Sequence, residues 1–467
     1  MSPRRAAGFG ALVALAATVA LVAVVRSRRA EPAGLALPPV VPCTVTVADP
    51  ASGLATVRVE AGVEALARGR EWLFGFADVR GGPQMVRAFA AEVDGRRVAA
   101  GSESYRGALV YRVPVAPRAR RLVVAYTIDP TFYPPGTEQV DAADARSRIT
   151  ADLAVVRSTS LLPVVNLPGC VLGVEFVLPA NWVAVTPWAT DGDRLLAPVD
   201  PASPVEYLAL GPFATRTLPV GAATVSVAAL DALEGSPFPV EAILQRVIEL
   251  VGAPLTSAGR TRGLPARFVA IVVPPGFMHG GAAGARTIVQ LPEPHVLAHE
   301  VFHWWNTSAL TSRDAGWFRE GLTEFYGIKV AREAGAWTAE QEAACLADLN
   351  AEMRAIERTG ARGLREASLD PTASRLVYSK GALFWTLVDR RLHAGGRYLE
   401  EAVRRVVTSD REDLSTEQLR ELFSSIYDGL VDDAFDRYVV GNQPLPDPGL
   451  DQATGRSGCA RNVPAGQ

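Results

Sequence analysis

His299-Glu300-Val301-Phe302-His303-Trp304-Trp305-Asn306 and, after ten intervening residues, Trp317-Phe318-Arg319-Glu320-Gly321-Leu322-Thr323-Glu324-Phe325-Tyr326 decide how this chain is read. Three of its five histidines, His295, His299 and His303, fall within nine residues. The first five residues of the stretch have the form HExxH. On a helix, positions four apart share a face, so the imidazoles of His299 and His303 can reach one ion. Glu300 borders that face and can reach a water on the ion without ligating it, the position of a general base. In a chain this poor in histidine such a pattern arises by chance on the order of once in a few hundred sequences. The alternative is an exposed helix whose histidines are incidental.

Seventeen positions after His303, Glu320 offers a carboxylate from a following helix. Two histidines and one glutamate leave a fourth tetrahedral position open, which suits a catalytic zinc ion rather than a structural one. Glu324 lies four residues further on the same helical face. It can accept the remaining N–H of a zinc-bound imidazole, or it is a solvated helix carboxylate.

The surroundings read as follows. Pro237 and Pro239 precede VEAILQRVIELVG, an amphipathic helix stopped at Gly252. ARFVAIVV from Ala266 reads as a buried strand, and a glycine-rich turn from His279 to Gly284 leads into a second strand, ARTIVQL. Backbone groups of this turn and strand, Gly280, Gly281 and Ala282 among them, can pair with an extended peptide. The histidine helix starts near Pro294, and the next spans about Ala315 to Ala334. Thr338 with Gln341, and Ser415 with Gln418, fit capping boxes in a helical C-terminal region.

Upstream, from about Pro38 to Leu230, short alternating runs such as CTVTVA at Cys43, RLVVAYTI at Arg121 and ATVSVAAL at Ala223 argue a β-sandwich-like region. It holds no histidine and no catalytic constellation. The expected fold class is therefore multidomain α+β: an N-terminal β-sandwich-like domain, a zinc peptidase domain and a C-terminal helical domain. The expected boundaries are 1–30 for a membrane anchor or signal, 31–235, 236–335, 336–445, and a disordered tail at 446–467.

The whole chain has 467 residues, 48% hydrophobic and 21% charged, an ordinary globular composition. A formal net charge of −3 gives no reason to expect a nucleic-acid partner. Arg4 and Arg5 precede an uncharged stretch, Ala6 to Val25, long enough to cross a hydrocarbon core of about 30 Å. The stretch ends in Val24-Val25-Arg26, a poor cleavage site, so an uncleaved anchor is expected ahead of a signal peptide, with the bulk outside the cytoplasm. None of the four cysteines forms a CxxC pair, which argues against a cysteine zinc site. Cys345, in AACLADL, reads as a buried free thiol.

HEVFHWWN followed by WFREGLTEFYG resembles the aminopeptidase-N and glycyl-aminopeptidase families of gluzincin zinc metallopeptidases, from about Val240 to Val406. Trp305 and Asn306 fit the glycyl-aminopeptidase form. Val377-Tyr378-Ser379-Lys380-Gly381 resembles the YxKG block of those families. The resemblance implies a thermolysin-like domain, zinc held by His299, His303 and Glu320, and an oxyanion-stabilising role for Tyr378. A core tyrosine at a helix start is the other reading of Tyr378. One departure bears on specificity. Those families carry a glutamate just upstream that holds the substrate's free amino group, and Gly280 to Gly284 contains no carboxylate.

The expected function is hydrolysis of peptide or protein substrates by a zinc-activated water with Glu300 as base, in a membrane-attached protein. The alternative is a gluzincin-like binding or assembly module without catalysis.

Overall fold

The computed structural model describes residues 39–66, 71–76, 85–105, 108–130, 147–165, 170–198, 205–220, 223–230, 239–252, 267–278, 281–307, 310–358, 360–409 and 411–446. The expected anchor, the tail from 447 and Gly280 lie outside these residues. Among the described residues no helix is long and apolar enough to cross a membrane.

The chain divides into two compact units, one ending at residue 214 and the other beginning at 215. The first is β-rich. Its largest sheet has eight strands, in the order Ala189–Asp191, Arg194–Pro198, Val171–Val177, Val40–Thr46, Ala55–Gly62, Arg121–Ile128, Val86–Val93 and Arg96–Val98. Strand Ala55–Gly62 shows why these segments are strands. Ala55, Val57, Val59 and Ala61 are buried while the residues between them face outward, the period of two that a pleat with one covered face requires. Two four-stranded sheets accompany it among the described residues, and Trp72, Phe74, Tyr126 and Trp188 fill the unit's own core.

The second unit holds a five-stranded sheet and the helices. Its strands are β1 (Phe213–Val220), β2 (Ala223–Leu230), β3 (Arg267–Val272), β4 (Gly281–Ala283) and β5 (Thr287–Gln290), in the spatial order β1-β2-β3-β5-β4. β2, β3 and β5 run parallel, and β4 pairs antiparallel with β5 at the edge, Gly281 opposite Gln290. The run ATVSVAAL, grouped from sequence with the upstream β region, is β2 of this sheet, in register with β3 from Thr224↔Arg267 to Ala229↔Val272.

Helix α1 (Val240–Val251) buries Ile243, Leu244, Val247, Leu250 and Val251, the spacing of one helical face, and stops at left-handed Gly252 with φ 59°. Full burial of each such side chain is worth roughly 1.5–3 kcal/mol. Helix α2 (Pro294–Phe302) opens with Pro294 in its first turn, where a missing N–H costs nothing, and every residue from His295 to Phe302 is buried. Helices α3 (Leu322–Glu333), α4 (Ala339–Glu357), α5 (Ser374–Ala394), α6 (Leu399–Val407) and α7 (Thr416–Tyr427) follow. Both expected capping boxes are present, Thr338 with Gln341 on α4 and Ser415 with Gln418 on α7.

Cys345 on α4 is disulfide-bonded, which corrects its reading as a free thiol. Apolar neighbours report burial, and burial is common to thiols and half-cystines. Cys43 is a buried thiol whose pKa burial pushes up to about 12.

Candidate active site

His299 and His303 lie one turn apart at the end of α2, and their Nε2 atoms are 3.2 Å apart. Glu320 reaches them from a separate element. The segment Trp317–Gly321 forms a π-helical turn ahead of α3, a local widening that recurs at functional sites. It places Glu320 Oε2 at 3.4 Å from His303 Nε2 and 3.8 Å from His299 Nε2. A tetrahedral ion about 2 Å from each donor needs donor atoms roughly 3.3 Å apart. The three atoms fit zinc in number, chemistry and spacing, and they form a candidate metal-holding group among the described residues.

The tautomers agree with that use. His299 Nδ1 lies 2.8 Å from Oε2 of buried Glu324, and His303 Nδ1 lies 3.1 Å from the carbonyl oxygen of Asn306. A carbonyl only accepts, so His303 Nδ1 carries the proton. With each Nδ1 turned to an oxygen, the two Nε2 atoms are the ones that face an ion. The electrostatics also call for a cation. Burial disfavours the His303 imidazolium, yet Glu320, Glu300 and the Asn306 carbonyl outweigh it and raise its pKa to about 9. For Glu320 burial pushes upward, and His303, Arg319 and His299 hold the carboxyl well below its ordinary range. Arg319 Nε donates to the other oxygen, Glu320 Oε1, at 3.0 Å.

Tyr378, on α5, donates its hydroxyl to Glu320 Oε2 at 2.7 Å, and its ring stacks on His299 with centroids 5.8 Å apart. The structure thus brings Tyr378 into the cluster. Glu300 is buried, its carboxylate packed on β4. A β-carbon added to Gly281 would lie 2.5 Å from both Glu300 Cγ and Oε1. Gly281 and Ala282 therefore lie on the edge strand beside Glu300. No carboxylate occurs on β4.

Residues without an assigned role in the sequence reading hold this geometry. Trp317, three residues before Glu320, is fully buried. It stacks on Trp385 of α5 at 5.4 Å and donates its indole N–H to Thr416 Oγ1 at 3.0 Å. Gly327 lets α3 approach α2, because a β-carbon there would sit 2.9 Å from His295 O and 3.2 Å from His299 Cβ. Lys380 is fully buried and donates to Glu357 Oε1, Arg362 O and Gln443 O at 2.7, 2.6 and 3.2 Å. Asn306 is fully buried against the Glu320 segment. For Trp317, Lys380 and Asn306 the sequence signal is a place in a motif: W-x-x-E-G, Y-x-K-G and the asparagine ending HEVFHWWN.

No protein-family model matches the chain, and no curated protein sequence does. Solved structures do. An aminopeptidase N family protein from Idiomarina loihiensis superposes with a TM-score of 0.65 at 14% identity, covering 87% of this chain and 77% of its own. The zinc metallopeptidase of the M1 class from Deinococcus radiodurans gives 0.52 at 18% identity, covering 90% and 96%. A mutant of that enzyme bound to a Tyr-Ser-Ala substrate gives 0.53 at 17%, covering 88% and 95%. The chain has a gluzincin aminopeptidase-like fold. Its β-rich N-terminal part and helical C-terminal part follow the architecture of those peptidases.

Proposed function

We propose that the chain is a zinc-dependent peptidase whose ion is held by His299, His303 and Glu320 in a thermolysin-like domain. The observation that carries this reading is the convergence of three donor atoms within 4.8 Å of one another, with Nδ1 of His299 lying 2.8 Å from Glu324 Oε2 and Nδ1 of His303 lying 3.1 Å from the Asn306 carbonyl oxygen. Structural neighbours that are zinc metallopeptidases, one bound to a tripeptide substrate, support it.

Zinc bound there would lower the pKa of a water toward about 7 and polarise the scissile carbonyl. The remaining chemistry belongs to the protein. Glu300 takes a proton from the attacking water and passes it to the leaving amine. Tyr378 donates its hydroxyl to the developing carbonyl oxygen. Its present acceptor is Glu320 Oε2, which holds the hydroxyl beside the donor atoms that His299, His303 and Glu320 would offer zinc. Gly281 and Ala282 offer edge-strand backbone to an extended peptide. Glu324 and the Asn306 carbonyl keep the imidazoles oriented.

The residues 6–25 stretch is proposed as an anchor that leaves both units outside the cytoplasm. The disulfide-bonded Cys345 suits an oxidising compartment. A second reading, a non-catalytic binding module, draws on the missing carboxylate of β4. Metal analysis of the purified protein from residue 31 onward, together with its activity on a mixed peptide library, tests the proposal. One zinc per chain with cleavage supports it, and a metal-free, inactive protein after incubation with zinc contradicts it.

A further inference from the structure

We propose that Asn306 is the positioning residue that couples the two halves of the ligand set, so that zinc affinity depends on a side chain remote from the ion. The proposal rests on the zinc reading of the site. His299 and His303 come from α2 and Glu320 from the π-helical turn, and three donors on two elements bind tightly only if the elements keep a fixed separation.

Asn306 touches both. Its main-chain oxygen lies 3.1 Å from His303 Nδ1. Its side-chain nitrogen lies 3.1 Å from Phe318 O, 3.0 Å from Arg319 O and 3.0 Å from Thr323 Oγ1. These three partners bracket Glu320 on both sides in sequence. Thr323 Oγ1 in turn donates to Arg319 O, so the hydroxyl, like the two carbonyls, presents a lone pair to the amide. All three demand a donor, which fixes the amide's orientation.

Packing alone does not account for this residue. Asn306 is fully buried, and its Oδ1 has no hydrogen-bond partner. An apolar side chain of the same shape would avoid that orphaned oxygen. What it could not supply is the N–H donors that tie the Glu320 segment to the turn after α2. Outer groups that orient metal ligands commonly affect affinity about 10- to 100-fold.

The test uses the purified protein with Asn306→Leu, which removes the donors at similar volume, and Thr323→Val, which removes one partner. Zinc affinity is measured by competition with a chromophoric chelator, the coordination by the visible spectrum after cobalt substitution, and the fold by unfolding of the metal-free protein. The expected result is a zinc affinity about 10- to 100-fold weaker in Asn306→Leu and about fivefold weaker in Thr323→Val. The cobalt spectrum should change in both. A folded Asn306→Leu with wild-type affinity and spectrum overturns the proposal. Should that variant fail to fold, wild-type values in Thr323→Val overturn it equally. A wild-type protein that binds neither metal removes the zinc reading itself and this coupling with it.

Discussion

Gly321 and Gly381 meet backbone to backbone: a β-carbon on Gly321 would lie 2.6 Å from the Gly381 Cα and 3.1 Å from the carbonyl oxygen of Val377. Gly321 directly follows Glu320, the proposed third ligand, and Gly381 sits one turn beyond Tyr378 on α5. The crossing of these two glycines therefore sets the register in which Tyr378 reaches Glu320 at 2.7 Å.

Gly321→Ala should loosen the site as well as the fold. The atoms a methyl group would strike are backbone, so no side chain can rotate aside. Overpacking of this kind costs about 1–3 kcal/mol, and a ligand displaced by about 1 Å no longer matches its partners. Thermal unfolding should show the lost stability, and a zinc titration should show a weaker site. A variant with wild-type zinc affinity would mean the crossing does not place Glu320.

Glu324→Gln should weaken zinc binding about 10- to 100-fold while leaving the fold intact. The glutamate oxygen 2.8 Å from His299 Nδ1 selects the tautomer that presents Nε2 to the ion. A glutamine amide can turn its nitrogen toward the ring and favour the other tautomer. Chelator competition measures the effect, and an unchanged affinity would show Glu324 to be a bystander.

Lys380→Met should be among the most destabilising single changes in the helical part. Removing one partner of a buried pair leaves Glu357 charged and uncompensated, at about 3–5 kcal/mol. Lys380→Arg should not rescue it. A planar guanidinium does not deliver three hydrogen bonds from one nitrogen to Glu357, Arg362 O and Gln443 O. Among 47 basic residues only Lys329 and Lys380 are lysine, and this point-donor geometry gives Lys380 a reason. Denaturant unfolding of the two variants decides the matter.

Peptides with acetylated amino termini should be cleaved about as well as free ones. A carboxylate holding a substrate ammonium contributes about 1.5–3 kcal/mol, and β4, beside Glu300, carries none. A strong preference for free amino termini would point to another carboxylate, with Glu293 the first to replace by glutamine.

The convergence of His299 and His303 could be read from the sequence because helical spacing puts them on one face, and the structure brings Glu320 to the same point. The capping boxes were equally readable, since each is defined by residues three apart. What local pattern could not supply was tertiary. Alternation in ATVSVAAL marks a strand but does not say which sheet receives it, and it pairs with Arg267–Val272. The expected helix from about Ala315 becomes a π-helical turn at Trp317–Gly321 and then α3, a change no spacing rule announces. The parts of Asn306, Gly321 and Lys380 depend on partners 12 to 63 positions away. Likewise, Cys345 in an apolar helix gives no sign of its disulfide.

The most direct test of the central claim is peptide hydrolysis and zinc content measured side by side in wild type and Glu300→Gln. Glutamine is nearly isosteric, so α2 keeps its packing against Gly281, and His299, His303 and Glu320 are untouched. It cannot accept the proton of the attacking water, a step typically worth about 10²–10⁴-fold. The expected result is one zinc per chain in both proteins and hydrolysis reduced about a hundredfold or more in the variant. Equal hydrolysis by the two proteins, or loss of zinc from Glu300→Gln, would contradict the account.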